Sequence, residues 1–218
     1  MRYAGGVKLT TDRIIDAGMT AFAEVGYQAL SMRQVAERLD VHAGSLYYHV
    51  RSKGVLLQLM ADRVARQAYD AGTAALAGLA EDADWTARVE AQASTLRESI
   101  KRHPGGAILL ADSPKVLSTG ALSVMERLLR TLADAGVPEP HRIIGADALL
   151  SYVTGFVLQE QSESAAPAVD AAAFADLGER FPLTIASASL HEPDETFAQS
   201  VRLLCAGIEG LRQAGPGA

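Results

Sequence analysis

The chain has 218 residues and a mass of 23.0 kDa, with 20 basic and 26 acidic side chains and a formal net charge of −6. With 49% hydrophobic and 21% charged residues it is too apolar for a disordered chain and long enough to bury a sizeable core. A single cysteine, Cys205, excludes an intramolecular disulfide and argues against a cysteine-based zinc site, and no run of eighteen apolar residues suits a membrane span.

Thr10 or Thr11 can cap the first helix, with Asp12 at its positive end. Ile14, Ile15, Gly18, Met19, Phe22 and Val25 then recur at helical spacing until Gly26 stops the run. Ser31 opens a short helix that buries Val35, Ala36 and Leu39, and residues 42–49 form a third short segment after Asp40-Val41. Ser52 caps a long fourth helix with Leu56, Leu59, Met60, Val64 and Ala68 in one stripe. Glycine and alanine between 72 and 80 are expected to loosen the chain. Asp84 then caps a helix over about 85–102, which His103-Pro104-Gly105-Gly106 terminates. Residues 118–135 form another helix, closed by Gly136.

The stretch 141–159 is nearly uncharged, and a helix apolar all round is expected to be buried all round. Residues 161–194 read as a partly helical connection broken at Pro167, Pro182 and Pro193. The last helix, about 194–213, gathers Phe197, Val201, Leu204, Cys205, Ile208 and Leu211 on one face. No strand pattern competes. The expectation is an all-α protein of about nine or ten helices, with a three-helix helix-turn-helix domain over 1–52 and a helical body over 53–218.

Charge is distributed unevenly along this plan. Residues 1–60 carry seven basic and five acidic groups, which leaves 13 basic and 21 acidic groups for the remainder. A slightly basic head on an acidic body suggests two parts with different partners. Within the head, residues 31–39 followed by Asp40-Val41 and residues 42–48 have helix-turn-helix character. Ala36 is small where two helices cross, and Leu39, Val41 and Leu46 supply a shared core. The second helix begins with slim or polar residues (His42, Ala43, Gly44, Ser45) and ends in Tyr47-Tyr48-His49. A helix entering the major groove needs a slim leading end, then side chains that grip flanking phosphates. Ser31 as a plain cap and Tyr47 as a core aromatic stand as the alternative. Two adjacent tyrosines cannot both face one core, so at least one is exposed.

Ile14, Ala17, Phe22, Gly26 and Tyr27, then Leu30-Ser31-Met32-Arg33, Ala36, Leu39, Ser45-Leu46-Tyr47-Tyr48-His49-Val50, Lys53 and Leu56-Leu57 resemble the DNA-binding domain of the tetracycline-repressor (TetR) family. The similarity extends toward the C-terminus through Trp85, His103, Gly136 and Gly155-Phe156-Val157-Leu158-Gln159-Glu160-Gln161, nearest to the tetracycline repressor's own branch. The resemblance implies that Arg33 reads a guanine edge and that Ala43, Gly44 and Ser45 approach bases. It likewise implies that Ser31, Tyr47, Tyr48, His49 and Lys53 hold phosphates. Asp40 departs from the glycine usual in that turn, although aspartate tolerates the left-handed region.

Nothing after residue 60 has catalytic character. The histidines at 42, 49, 103, 141 and 191 lack metal spacing, no phosphate loop occurs, and Cys205 sits on an apolar face, so no metal, cofactor or enzymatic activity is expected. The apolar 141–159 helix and the last helix, with Gly207 and Gly210, could form half of a four-helix dimer interface, which the resemblance also implies. It further implies a ligand pocket, for which the candidates are Tyr69, Gln92, Leu96, His103, Leu110, Met125, Leu128, Leu129, Tyr152, Phe156 and Gln159. Leu110 and the partner chain's Gln159 correspond to the positions at which the tetracycline repressor holds the drug's magnesium. Neither side chain suits that ion, so an uncharged or weakly polar organic inducer is expected in place of tetracycline–magnesium.

The sequence therefore points to a cytoplasmic homodimer that binds double-stranded operator DNA and is released by a small organic ligand. A DNA-binding dimer without an inducer and, further off, a helical enzyme are the alternatives.

Overall fold

The structure, a computed structural model, describes residues 8–113, 118–163, 171–188 and 192–214, and among these all regular structure is helical. The elements are α1 (Thr11–Ala29), α2 (Met32–Arg38), α3 (Ala43–His49), α4 (Lys53–Ala77), α5 (Trp85–Lys101), α6 (Gly106–Asp112), α7 (Thr119–Asp134), α8 (His141–Glu163), α9 (Ala171–Arg180), α10 (Pro182–Ala188) and α11 (Pro193–Ala214). Short polar side chains set many of the starts. Thr10, Ser31, Ser52, Asp84 and Ser118 each accept a hydrogen bond from the backbone amide three residues on, which the helix would otherwise leave orphaned. At Ser31 the cap is reciprocal, because the Gln34 side chain reaches back to the Ser31 amide.

Two apolar clusters organise these helices. One joins α1, α2 and α3 to the first half of α4 through Ile14, Phe22, Val35, Leu46, Leu56 and Met60. The other joins the second half of α4 to α5, α7, α8 and α11 through Val64, Val89, Ile100, Leu132, Leu149, Val157 and Val201. We call them the head and the body. Helix α9 packs on α10.

Four expectations need correction. Helix α4 does not loosen at 72 but runs to Ala77, because Gly72 is buried at a close approach to α7. Gly105-Gly106 ends α5 and also starts the unexpected α6. Gly105 takes φ 71°, and the turn lies so close to Phe22 that a Cβ there would sit 2.4 Å from the ring. Pro182 and Pro193 begin helices instead of breaking them, since the first helical position needs no amide donor. Helix α8 is not buried all round: Ile143, Ile144 and Leu158 remain exposed on a single chain. Among the described residues there are eleven helices, close to the nine or ten expected. Pro167, His191 and residues 215–218 lie outside the described residues.

Candidate functional site

In the head, the turn between α2 and α3 passes through Asp40 at φ 53°, the left-handed conformation that aspartate can adopt. This turn lets Leu46 of α3 bury fully while the opposite side of the helix faces outward. Gly44, Ser45, Tyr47 and Tyr48 are exposed, Tyr48 at 89%, whereas Ala43 and His49 are half-buried. Both tyrosines therefore lie outside the core, and the Tyr48 and His49 rings pack edge to face with centroids 5.4 Å apart. The Arg33 side chain is 85% exposed on α2 and pairs with Glu37 at 2.9 Å.

Two candidate phosphate contacts are engaged internally. The Ser31 hydroxyl caps α2 and donates to Gln34 Oε1. Lys53 Nζ donates to the carbonyls of Tyr27 (3.1 Å) and Gln28 (3.2 Å), at the C-terminal end of α1 where cations are favoured. Arg51, not singled out in the sequence, is exposed just beyond α3 and forms no ion pair among the described residues. Its signal was only its place, two residues after the recognition-helix candidate ends.

The body divides the candidate ligand residues among several places. Gln92, Leu96 and Leu128 line a cavity of about 10 Å³ between α5, α7 and α8, together with Val89, Val124, Leu149 and Val153. That is room for about one water molecule. Tyr69, Met125 and Leu129 line an open groove between α4 and α7, and Leu110 lies in another beside Thr154 and Leu158. Tyr152 stacks on Phe197 at a centroid distance of 5.7 Å, and Phe156 meets Phe197 edge to face at 5.3 Å. His103 is hydrogen-bonded to Gln67 at 2.7 Å; burial, with Arg102 nearby, holds its pKa below the ordinary value. Gln159 is exposed.

Two arginines stand out that carried no sequence signal. Arg97, 5% exposed, grips Glu160 with Nε and Nη2 at 3.0 and 2.5 Å, reaches Asp194 at 2.7 Å, and lies over the Phe156 and Phe197 rings. Arg127 of α7 passes between α4 and α5 to Gln92. A thiolate at Cys205 is disfavoured: burial first, then Glu90 and Asp84, push its pKa up to about 12. Among the described residues no group of three or more His, Cys, Asp or Glu side chains could hold a metal ion.

Head and body are tied together at three points. Helix α4 contributes to both clusters. Asp62 of α4 accepts from Ser118 Oγ (2.9 Å) and the Gly120 amide (2.8 Å), clamping the N-terminus of α7. Helix α6 places Leu109 in the head cluster and Ala107 in the body cluster, and Tyr27 of α1 donates to Asp112 of α6. On the far side of the body, Ile144, Ala148, Ser151 and Leu158 of α8 and Leu203, Gly207 and Gly210 of α11 are exposed. These small and apolar residues recur at spacings of three, four or seven, the pattern of a helix–helix seam.

Comparison with known proteins agrees with this division. Residues 14–60 match the family model "Bacterial regulatory proteins, tetR family", and residues 77–212 match "Tetracyclin repressor-like, C-terminal domain". The chain is 32% identical over 147 residues to the HTH-type transcriptional repressor DrrR1 of Streptomyces coeruleorubidus, covering 67% of this chain and 52% of that protein. It is 29% identical over 213 residues to the class G tetracycline repressor protein of Vibrio anguillarum, covering 95% and 97%. Among solved structures, ActR of Streptomyces coelicolor in complex with actinorhodin superposes with a TM-score of 0.76 at 25% identity, covering 96% and 100%.

Proposed function

The chain belongs to the tetracycline-repressor (TetR) family, and from that premise we propose that it is a homodimeric transcriptional repressor that leaves its operator when a small organic molecule binds. The observation that carries this reading is α3: a short helix anchored by fully buried Leu46 that turns Gly44, Ser45, Tyr47 and Tyr48 outward. We assign residues 1–52 to DNA binding and 53–218 to ligand binding and dimerisation. Arg33, Ala43, Gly44 and Ser45 approach base edges, and Tyr47, Tyr48, His49 and Arg51 hold phosphates. Ser31 and Lys53 act by fixing α2 and the end of α1. The α8 and α11 seams pair in a four-helix interface, so that two α3 helices reach half-sites about 34–36 Å apart or a multiple of that. The repressor name of one relative and the bound actinorhodin of another support the two halves of the reading. The protein acts in the cytoplasm and carries out no chemical step.

Ligand in the body shifts α4 and α6, which contribute buried residues to both clusters, and the paired heads lose their spacing. By linkage, operator DNA weakens ligand binding by the same factor. With a duplex selected from a random pool, Arg33→Ala should lower affinity about fivefold or more, because a bidentate guanine contact contributes roughly 1–3 kcal/mol. The melting temperature should hardly change, since an exposed i,i+4 pair contributes about 0.5 kcal/mol at most. Unchanged DNA affinity would remove the assignment. A DNA-binding dimer without inducer is the second reading, favoured by the nearly filled cavity at Gln92. Persistent absence of thermal stabilisation across a broad organic library would select it.

A further inference from the structure

Arg127 is half-buried where α4, α5 and α7 meet. Its Nη1 donates to the Tyr69 carbonyl and to Thr73 Oγ1 (2.9 Å), its Nε donates to Gln92 Oε1 (3.1 Å), and its guanidinium lies 4.7 Å from the Tyr69 ring centroid. Every oxygen it holds is neutral, and Asp70 attracts it only from beyond ion-pair distance. Burial lowers its pKa more than Tyr69 and Asp70 raise it. Arg97 shows the contrast, lying over two aromatic rings and holding two carboxylates.

The surroundings are shaped to keep the guanidinium in place. A Cβ at residue 72 would lie 2.2 Å from its Nη2, so only glycine on α4 admits it. Gln92, 6% exposed, is held in turn by Thr131 at 2.8 Å and lines the cavity between α5, α7 and α8. Outward, Arg127 borders both grooves flanking α7, beside Met125 and Leu129 on one side and Trp85 on the other. A cation drawn out of water without a counter-charge is costly, and a ligand oxyanion offsets that cost through charge-assisted bonds.

We infer that Arg127 is the anion-receiving group of the ligand site, and that the ligand is an organic acid, a carboxylate or phenolate on an apolar body, in place of the uncharged molecule expected from the sequence. This rests on the ligand-responsive reading above. The acid oxygen displaces Gln92 Oε1 at Arg127 Nε, which unties the Tyr69–Thr73 turn of α4 from α5.

Isothermal titration of the full-length protein tests this with aromatic carboxylic acids of one to four fused rings, each paired with its carboxamide. At least one acid should bind tenfold or more tightly than its amide. That preference should collapse in Arg127→Gln and in Gly72→Ala, which displaces the guanidinium without deleting it and keeps a good helix former in α4. No binding by any acid, amides equal to acids, or a preference that survives Gly72→Ala overturns the inference. An amide that binds as well as its acid and releases operator overturns it while leaving the ligand-responsive reading intact. An acid whose Arg127-dependent binding leaves operator affinity unchanged supports the site and overturns that reading.

Discussion

The head and the body are both helical and both built on an apolar cluster, yet they place their polar groups in opposite ways. In the head, no polar side chain among the described residues is fully buried. Ser31 and Arg33 are held by neighbours three or four residues away, Gln34 and Glu37, while Lys53 reaches back to the end of α1. In the body, Gln92, Arg97, Ser99, Ser118 and Thr131 are buried. Gln92 meets Thr131 39 residues away and Arg97 meets Glu160 63 residues away. A surface that reads a polymer needs its donors outside and rigid, which local capping supplies. A body that answers a ligand needs polar groups inside, where they couple helices distant in sequence.

The largest test of this contrast is Arg97→Leu, which leaves Glu160 without its main partner. Removing one member of a buried pair costs about 3–5 kcal/mol, so the urea midpoint should fall sharply. An unchanged midpoint would mean that the body does not depend on its buried polar contacts. A pH series sharpens the same point. Burial by itself would raise the Glu160 pKa, but the Arg97 hydrogen bonds and charge, with Lys101, outweigh it and hold the carboxyl below its ordinary 4.5. Its stabilisation is therefore present above the unfolded value and lost as pH falls through the lower folded value. Unfolding followed from pH 7 downward should show wild type losing more stability than Glu160→Gln; equal slopes would contradict the assignment.

On the head side, Ser31→Ala removes one reciprocal cap and should cost about 1 kcal/mol. A loss near that of Arg97→Leu would erase the distinction between the regions. The smallest effect runs the other way. The buried Tyr152 hydroxyl has no hydrogen-bond partner among the described residues, so Tyr152→Phe should leave stability unchanged or raise it by up to about 1 kcal/mol. A clear loss on thermal melting would show that the hydroxyl is satisfied in the assembled protein.

The same contrast explains which features were legible in the sequence. Ser31, Ser52 and Asp84 read as caps in the sequence, and Thr10 as one of two candidates with Thr11, because each cap and its amide are three residues apart. The outward face of α3 was legible because two adjacent tyrosines cannot share one core. The resemblance implies a phosphate contact for Lys53, whereas its hydrogen bonds to the carbonyls of Tyr27 and Gln28, 26 and 25 residues away, leave no local signal. Gly105-Gly106 reads as a stop whether or not a new helix follows, so α6 went unseen. Arg97 and Arg127 look like ordinary helix-surface arginines until α8, α11 and α4 are brought against them. The apolar character of α8 was plain, but which side its own chain covers depends on α5, α7 and α11.

Helix α4 also has a practical meaning for anyone recombining these proteins. Leu56, Leu57, Met60 and Ala61 belong to the head cluster, while Val64 and Ala68 belong to the body cluster. A hybrid spliced at the apparent boundary before Lys53 would give one parent's first three helices another parent's hydrophobic floor. The seam between the modules runs through the middle of a continuous helix, between Ala61 and Val64. A chimera joined there keeps the α1–α4 part of the head interior together, leaves Leu109 of α6 to come from the body's parent, and transplants DNA specificity as a unit.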